Sequence, residues 1–151
     1  MAEKVIDIAV RKLKTTGVLS HTHDYHSLSE TVELAGGAIT VDQHNEARVA
    51  ASEFDVNLTT VQHLIDIYAG DYRVILEITR ESPELKRALI VGLPHIEAEV
   101  SYAARHEMAT TVSDVLSRRT RIELLSRDRG QSCAERVENL LQQERNRSTN
   151  P

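Results

Sequence analysis

The sequence predicts an all-α protein: a small orthogonal bundle of about six to seven helices, led in by an N-terminal helix and a long loop. The 151-residue chain has one Phe and no Trp, so its core must be built from Ala, Leu, Val and Ile, which suit helices packed at close range. Apolar residues recur at three- and four-residue intervals in segment after segment. Between these segments stand helix stops and starts such as Gly17, Gly70, Ser82-Pro83 and Gly92-Leu93-Pro94.

The first helix runs from about Ala2 to Lys14 through Val5, Ile6, Ala9, Val10 and Leu13, and Gly17 ends it. From Val18 to Ile39 the periodicity gives way to Ser, Thr, His and the Gly36-Gly37 pair, the composition of a long surface connection. Residues 1–39 are therefore read as leading helix and linker, 40–145 as the helical domain, and 146–151 as a disordered polar tail. Thr40 with Gln43 has the spacing of a capping box, so a helix is expected from there to about Glu53, with a turn at Phe54 to Asn57. The next helix starts near Thr59, puts Val61, Leu64, Ile65 and Tyr68 on one side, and stops at Gly70.

Asp71 is placed to cap the following helix, in which Val74, Ile75 and Ile78 are expected to face inward. Pro83 then sits at a first helical position, where its missing N–H is not needed. After Gly92-Leu93-Pro94 a helix carries Ile96, Val100, Ala103 and Glu107 along one stripe. Thr111 with Asp114 reads as the next N-terminal cap, and a last helix from about Ser132 to Gln143 carries Val137, Leu140 and Leu141.

Two charges fall where core residues belong. Read as a helix, Val112, Val115, Leu116, Ile122 and Leu125 form an apolar stripe, and Arg119 lies inside it. Glu107 occupies the matching position on the preceding helix. Two readings stand: a buried Glu107–Arg119 pair, whose rupture would cost roughly 3 to 5 kcal/mol, or an Arg119 that snorkels to water while Glu107 ends its helix. Arg118, Arg119 and Arg121 could together grip a phosphate. Internal pairing, including Arg118 with Asp114 one turn earlier, is the structural alternative.

A formal net charge of -5 argues against a nucleic-acid partner, which would need a dominant basic surface. The charge is uneven: carboxylates crowd the stretch from Asp24 to Asp71, arginines the stretch from Arg118 to Arg129, and two solvated faces that attract each other is the plain reading. Cys133 is alone, which excludes an internal disulfide and fits a small buried hydrophobe. Without a secretory leader pattern or a long apolar run, a cytoplasmic protein is expected.

His21, His23 and His26, with Asp24 between them, concentrate zinc-type ligands. Their order differs from the His-x-His-x-Asp-His of metallo-β-lactamases, and the strands such a fold requires are missing from the pattern, so they are weak candidates for adventitious metal binding and no functional metal site is expected. His44, His63, His95 and His106 lie in or beside helical patterns and read as satisfied histidines. None has a neighbouring nucleophile and acid that would make a catalytic constellation.

The run Ala98-Glu99-Val100-Ser101-Tyr102-Ala103-Ala104-Arg105-His106-Glu107-Met108-Ala109-Thr110-Thr111, followed by Asp114-Val115-Leu116 and Arg118-Arg119-Thr120-Arg121, resembles the helical C-terminal domain of FAD-dependent glycerol-3-phosphate dehydrogenases. Leu93-Pro94 and Leu64-Ile65-Asp66-Ile67-Tyr68-Ala69-Gly70 look like earlier signposts of that domain, and Met1 to Leu13 is similar to the helix that closes the flavin domain. The resemblance implies a fragment of a larger enzyme that oxidises sn-glycerol 3-phosphate to dihydroxyacetone phosphate and passes electrons to quinone, at the inner face of the cytoplasmic membrane.

FAD would belong to that parent and not to this stretch, which has no G-x-G-x-x-G turn. No catalytic or cofactor-binding residue carries over, and the implied partner is the enzyme's own flavin and substrate domain, with the oligomeric state left open. Glu107, Asp114, Arg118, Arg119 and Arg121 are then structural or interface residues of a capping domain that is inactive alone. The competing expectation is an independent helical module that binds another protein.

Overall fold

The structure, a computed structural model, describes residues 2–19, 32 and 43–149. His21, His23, His26, Thr40 and most of the expected linker lie outside the described residues. The chain divides into two compact units, Met1–Leu34 and Ala35–Pro151.

In the first unit, α1 spans Ala2–Thr15 and is closed by Gly17 at φ 73, the left-handed conformation that glycine adopts without a Cβ clash. Its Val5, Ile6 and Ile8 are exposed.

The second unit contains α2 (Gln43–Phe54), α3 (Leu58–Tyr68), α4 (Tyr72–Glu81), α5 (Glu97–His106), α6 (Ile122–Leu125) and α7 (Gln131–Thr149), with 3₁₀ turns at Ala69–Asp71 and Pro83–Lys86 and a π-helical turn at Asp114–Arg119. No strand occurs among the described residues; a single antiparallel bridge joins Ala88 to Ile96. The fold is all-α. α2 packs on α3, and α5 lies between α4 and α7.

The expected stripes of α3 and α7 are buried as Val61, Leu64, Ile65 and Tyr68, and as Val137, Leu140 and Leu141. Asn57 starts α3 by accepting the Thr59 N–H on Oδ1 at 2.8 Å, a side-chain cap for an otherwise orphaned donor. Cys133 is buried and free, and burial pushes its thiol up.

Several local expectations change. Ala69 and not Gly70 takes the positive φ that ends α3, at φ 47 and ψ -127, and the chain re-enters a 3₁₀ turn at once. Asp71 does not cap α4; its Oδ2 accepts the Tyr102 hydroxyl at 2.8 Å. In α4 the inward set is Tyr72, Ile75, Leu76 and Ile78, with Val74 turned out, so the stripe keeps Ile75 and Ile78 and is rotated by about a quarter turn. α7 continues to Thr149, beyond the polar boundary drawn at 145. Pro83 opens a single 3₁₀ turn and no longer helix.

The largest departure lies in α5. Instead of one inward stripe, seven consecutive residues, Glu97 to Ala103, are buried. Alanine and serine at 98, 101 and 103 let neighbouring helices approach on every side.

Gly130 precedes α7 at φ 79, and a Cβ there would meet Leu116 Cδ1 at 3.0 Å and Ile122 Cγ2 at 3.2 Å. Gly92, at φ 90, has open space around it. Gly130→Ala is expected to cost roughly 2–4 kcal/mol through left-handed strain plus overpacking, and Gly92→Ala only about 1 kcal/mol. Urea denaturation of the two variants measures the difference.

Candidate functional site

The arginine-rich turn is built from hydrogen bonds to its own neighbours. Thr111 and Asp114 cap it reciprocally: Asp114 N donates to Thr111 Oγ1 at 3.1 Å, and Asp114 Oδ2 accepts Thr111 N at 3.0 Å and Thr111 Oγ1 at 2.8 Å. These donors, the Thr111 hydroxyl first and the Thr110 and Thr111 amides next, hold the Asp114 carboxyl down at about 2. Arg118 Nη1 closes on Asp114 Oδ1 at 2.5 Å. The next turn widens to π geometry, with Thr120 N and Oγ1 both donating to Val115 O at 2.9 Å.

Arg121 then adopts φ 56, which breaks the single helix expected through Leu125. Val115, Leu116 and Ile122 remain buried, while Leu124 and Leu125 turn outward.

Glu107 and Arg119 are brought together. Arg119 Nε stands 3.1 Å from Glu107 Oε2, a charge contact without hydrogen-bond alignment, while Nη2 donates to the Glu107 carbonyl at 2.7 Å. The guanidinium therefore caps the end of α5 as well as facing its last carboxylate. Their side chains keep 34% and 29% of their exposure, so the pair is far from the fully buried case and its energy is screened. Burial raises the Glu107 carboxyl above its usual range, and the pull of Arg119 offsets this only in part.

Among the described residues, the ion pairs of the acidic stretch are made with cations outside the arginine-rich one. Glu46 and Glu53 of α2 pair with Arg73 and Arg80 of α4, Asp55 with Lys86, and Arg129 with Glu123 at 2.5 Å. Glu123 also accepts the Ser117 hydroxyl. Charge complementarity acts between nearest helices.

A second polar cluster joins α5 to its neighbours. Glu99, with 0% exposure, accepts Ile96 N on Oε1 at 2.8 Å, and on Oε2 accepts the Tyr68 hydroxyl at 3.0 Å and His63 Nε2 at 3.1 Å. Burial first, then the adjacent Glu99, pushes the Tyr68 phenol well above its ordinary range. His95 packs beside His63 with ring centroids 4.2 Å apart and gives Nε2 to the Thr120 carbonyl at 3.0 Å. Burial holds the His95 imidazole below its usual value. His63, His95 and Glu99 line a groove of about 680 Å³ whose rim includes Arg118, Arg121, Ile67, Leu124 and Leu125.

Sequence reasoning singled out neither His63 with His95 nor the buried state of Glu99. His95 and Glu99 stand four apart, a spacing that can bring side chains together. Their third member is 32 residues upstream of His95, on another helix, and no local pattern announces it.

Two outcomes test this geometry. Arg119→Ala removes both the charge contact and the carbonyl cap, and is expected to cost about 1–2 kcal/mol; Glu107→Gln leaves the carbonyl bond in place and should cost well under 1 kcal/mol, with thermal melts ranking the two. Asp114 has a depressed folded value, so its contribution is complete above the unfolded carboxyl value of about 3.9 and fades as pH falls through about 2. Amide exchange at Thr110 and Thr111 should stay protected at pH 4 and open below that window, and Asp114→Asn should abolish the dependence.

Residues 27–150 match the family described as the C-terminal domain of alpha-glycerophosphate oxidase. Among relatives, a Dictyostelium discoideum protein named "Probable glycerol-3-phosphate dehydrogenase, mitochondrial" is 26% identical over 131 residues, covering 84% of this chain and 20% of its own length. A glycerol-3-phosphate dehydrogenase of Synechocystis is 38% identical over 74 residues, 49% of this chain and 13% of that one. A mitochondrial glycerol-3-phosphate dehydrogenase of Arabidopsis thaliana is 29% identical over 153 residues, 95% and 24% of the respective chains. The chain thus spans about a quarter or less of the length of these relatives. No solved structure matches it. With most of its length matched, the chain belongs to the family of C-terminal domains of alpha-glycerophosphate oxidase.

Proposed function

We propose that this chain is the non-catalytic helical C-terminal domain of an FAD-dependent glycerol-3-phosphate dehydrogenase, and that it buttresses the enzyme's own flavin and substrate domain. The family match over residues 27–150 carries the reading, together with relatives whose names specify glycerol-3-phosphate dehydrogenase. Such an enzyme would oxidise sn-glycerol 3-phosphate to dihydroxyacetone phosphate by hydride transfer to FAD held in its flavin domain, with the electrons passed on to quinone. The parent works at the inner, cytoplasmic face of the membrane as a peripheral protein. No described helix of this chain is long and apolar enough to cross a membrane.

The state of the arginines supports a structural part for this domain. A phosphate grip needs guanidinium forks that are free to close on the ligand. Here Arg118 is bound to Asp114, and Arg119 to the Glu107 carbonyl and carboxylate. Arg118 and Arg119 are thereby committed to the domain's own frame.

Mixed with FAD, sn-glycerol 3-phosphate and a redox dye, the purified 151-residue chain is expected to bind no stoichiometric flavin and to reduce no dye. Added to a parent flavoprotein from which this domain has been deleted, it should raise that protein's melting temperature. Flavin binding or turnover by the chain alone would overturn the reading, as would a failure to stabilise the truncated flavoprotein; the latter outcome would favour an independent interaction module.

A further inference from the structure

Metal-ligating atoms from separate parts of the fold converge beside the groove. His63 comes from α3, His95 from the strap that precedes α5, and Glu99 from α5 itself. One donor atom of each lies within 4.8 Å of the others.

His95 is held in the tautomer a ligand needs. The Thr120 carbonyl at 3.0 Å can only accept, so the proton sits on Nε2, and Nδ1 of the neutral ring keeps its lone pair. That Nδ1 is buried and has no hydrogen-bond partner, on a residue only 2% exposed. Buried acceptors are rarely left bare. A ring that gives its second N–H to a backbone carbonyl is also how ligating histidines are commonly oriented.

Glu99 is held in the same fashion. Ile96 N fixes Oε1 and the Tyr68 hydroxyl supports Oε2, so the one contact that an incoming ion must replace is the His63 hydrogen bond at 3.1 Å. Two neutral imidazoles and a carboxylate, anchored by groups that are not themselves ligands, are a donor set for zinc and its neighbours.

We propose that His63, His95 through Nδ1, and Glu99 bind one divalent first-row transition ion of the zinc class, with its remaining position open to the groove. On a tetrahedral ion with bonds of about 2.1 Å the donors sit about 3.4 Å apart, so small side-chain rotations close the cluster. On binding, the His63 proton now shared with Glu99 moves to Nδ1 of the same ring and the ion takes its place; nothing is oxidised or reduced. This replaces the expectation that His63 and His95 are merely satisfied histidines: His95 is satisfied at Nε2 and bare at Nδ1. The site stands apart from the proposed flavin enzymology, since no catalytic part is asked of it.

The His21, His23 and His26 segment is the obvious competitor for a metal ion, and the test separates the two. The chelator-stripped 151-residue chain is titrated with Zn²⁺ by calorimetry and with Co²⁺ by visible absorption, beside a triple His21→Ala, His23→Ala, His26→Ala variant and a His63→Ala variant checked for folding by its melt. One ion per chain is expected, retained by the triple variant and weakened at least tenfold in His63→Ala. Imidazole ¹⁵N resonances of His63 and His95 in the unaltered chain should shift on Zn²⁺ addition, a readout independent of any variant. Absence of binding, loss of binding in the triple variant, unchanged affinity in folded His63→Ala, or shifts confined to other histidines would each overturn the proposal.

Discussion

Everything in the helical unit is arranged around the burial of two carboxylates on α5. Glu97 is 1% exposed and Glu99 0%, and a carboxylate removed from water is tolerated only where hydrogen bonds and opposite charge replace its solvent. Residues two apart on a helix point about 200° away from each other. Glu97 therefore has to be satisfied from one flank and Glu99 from the other. Arg136 of α7 meets Glu97 with a two-pronged contact at 3.0 and 2.5 Å, and Tyr68 and His63 of α3 meet Glu99. Once those partners are fixed, α5 must turn Glu99 toward α3 and Glu97 toward α7.

The polar contacts set register, while apolar burial supplies most of the stabilisation. Aliphatic side chains such as Leu64, Ile75, Leu76, Leu140 and Leu141 are almost fully buried, each contributing roughly 1.5–3 kcal/mol relative to exposure. Such packing alone tolerates sliding and repacking. A slip of α5 by one residue would carry Glu97 away from Arg136, Glu99 away from Tyr68, and Arg105 away from Glu144, which it now grips at 2.7 and 2.8 Å. Tyr102 adds a further tie, giving its hydroxyl to Asp71 and meeting the Tyr68 ring in a T-shaped contact. Surface pairs such as Arg80 with Glu77 lie in water and contribute little by comparison.

What was legible in the sequence follows from the range of the forces involved. Capping by Thr111 and Asp114, the apolar faces of α3 and α7, and the encounter of Glu107 with Arg119 depend on residues within about a dozen positions of each other, and the pattern carried them. The burial of Glu97 and Glu99 depends on Arg136 and His63, which are 39 and 36 residues away respectively, and charge in a short window reads as solvated surface. The same limit hid the His63, His95 and Glu99 cluster. The arginine turn departs from its pattern for another reason: a π turn followed by a left-handed Arg121 shifts the helical phase, so a stripe drawn with one continuous period places Arg119 in the core and Leu125 beside it, whereas Arg119 is half-buried and Leu125 exposed.

That phase shift is what ties the arginine turn to α5. Widening at Val115 lets its carbonyl take both Thr120 N and Thr120 Oγ1, which pins Thr120 and frees its own carbonyl for His95 Nε2. An uninterrupted α-helix through Ile122 to Leu125 would instead spend the Thr120 carbonyl on the amide four residues on. The left-handed Arg121 cancels that claim, and Arg119, at the end of the same turn, reaches back to the Glu107 carbonyl. One short segment therefore holds both ends of α5: Arg119 grips Glu107, which follows its last residue, and Thr120 orients His95, two residues before its first. Side chains here serve the backbone geometry more than any ligand of their own, and the ring they position, His95, is the one left with a lone pair to give.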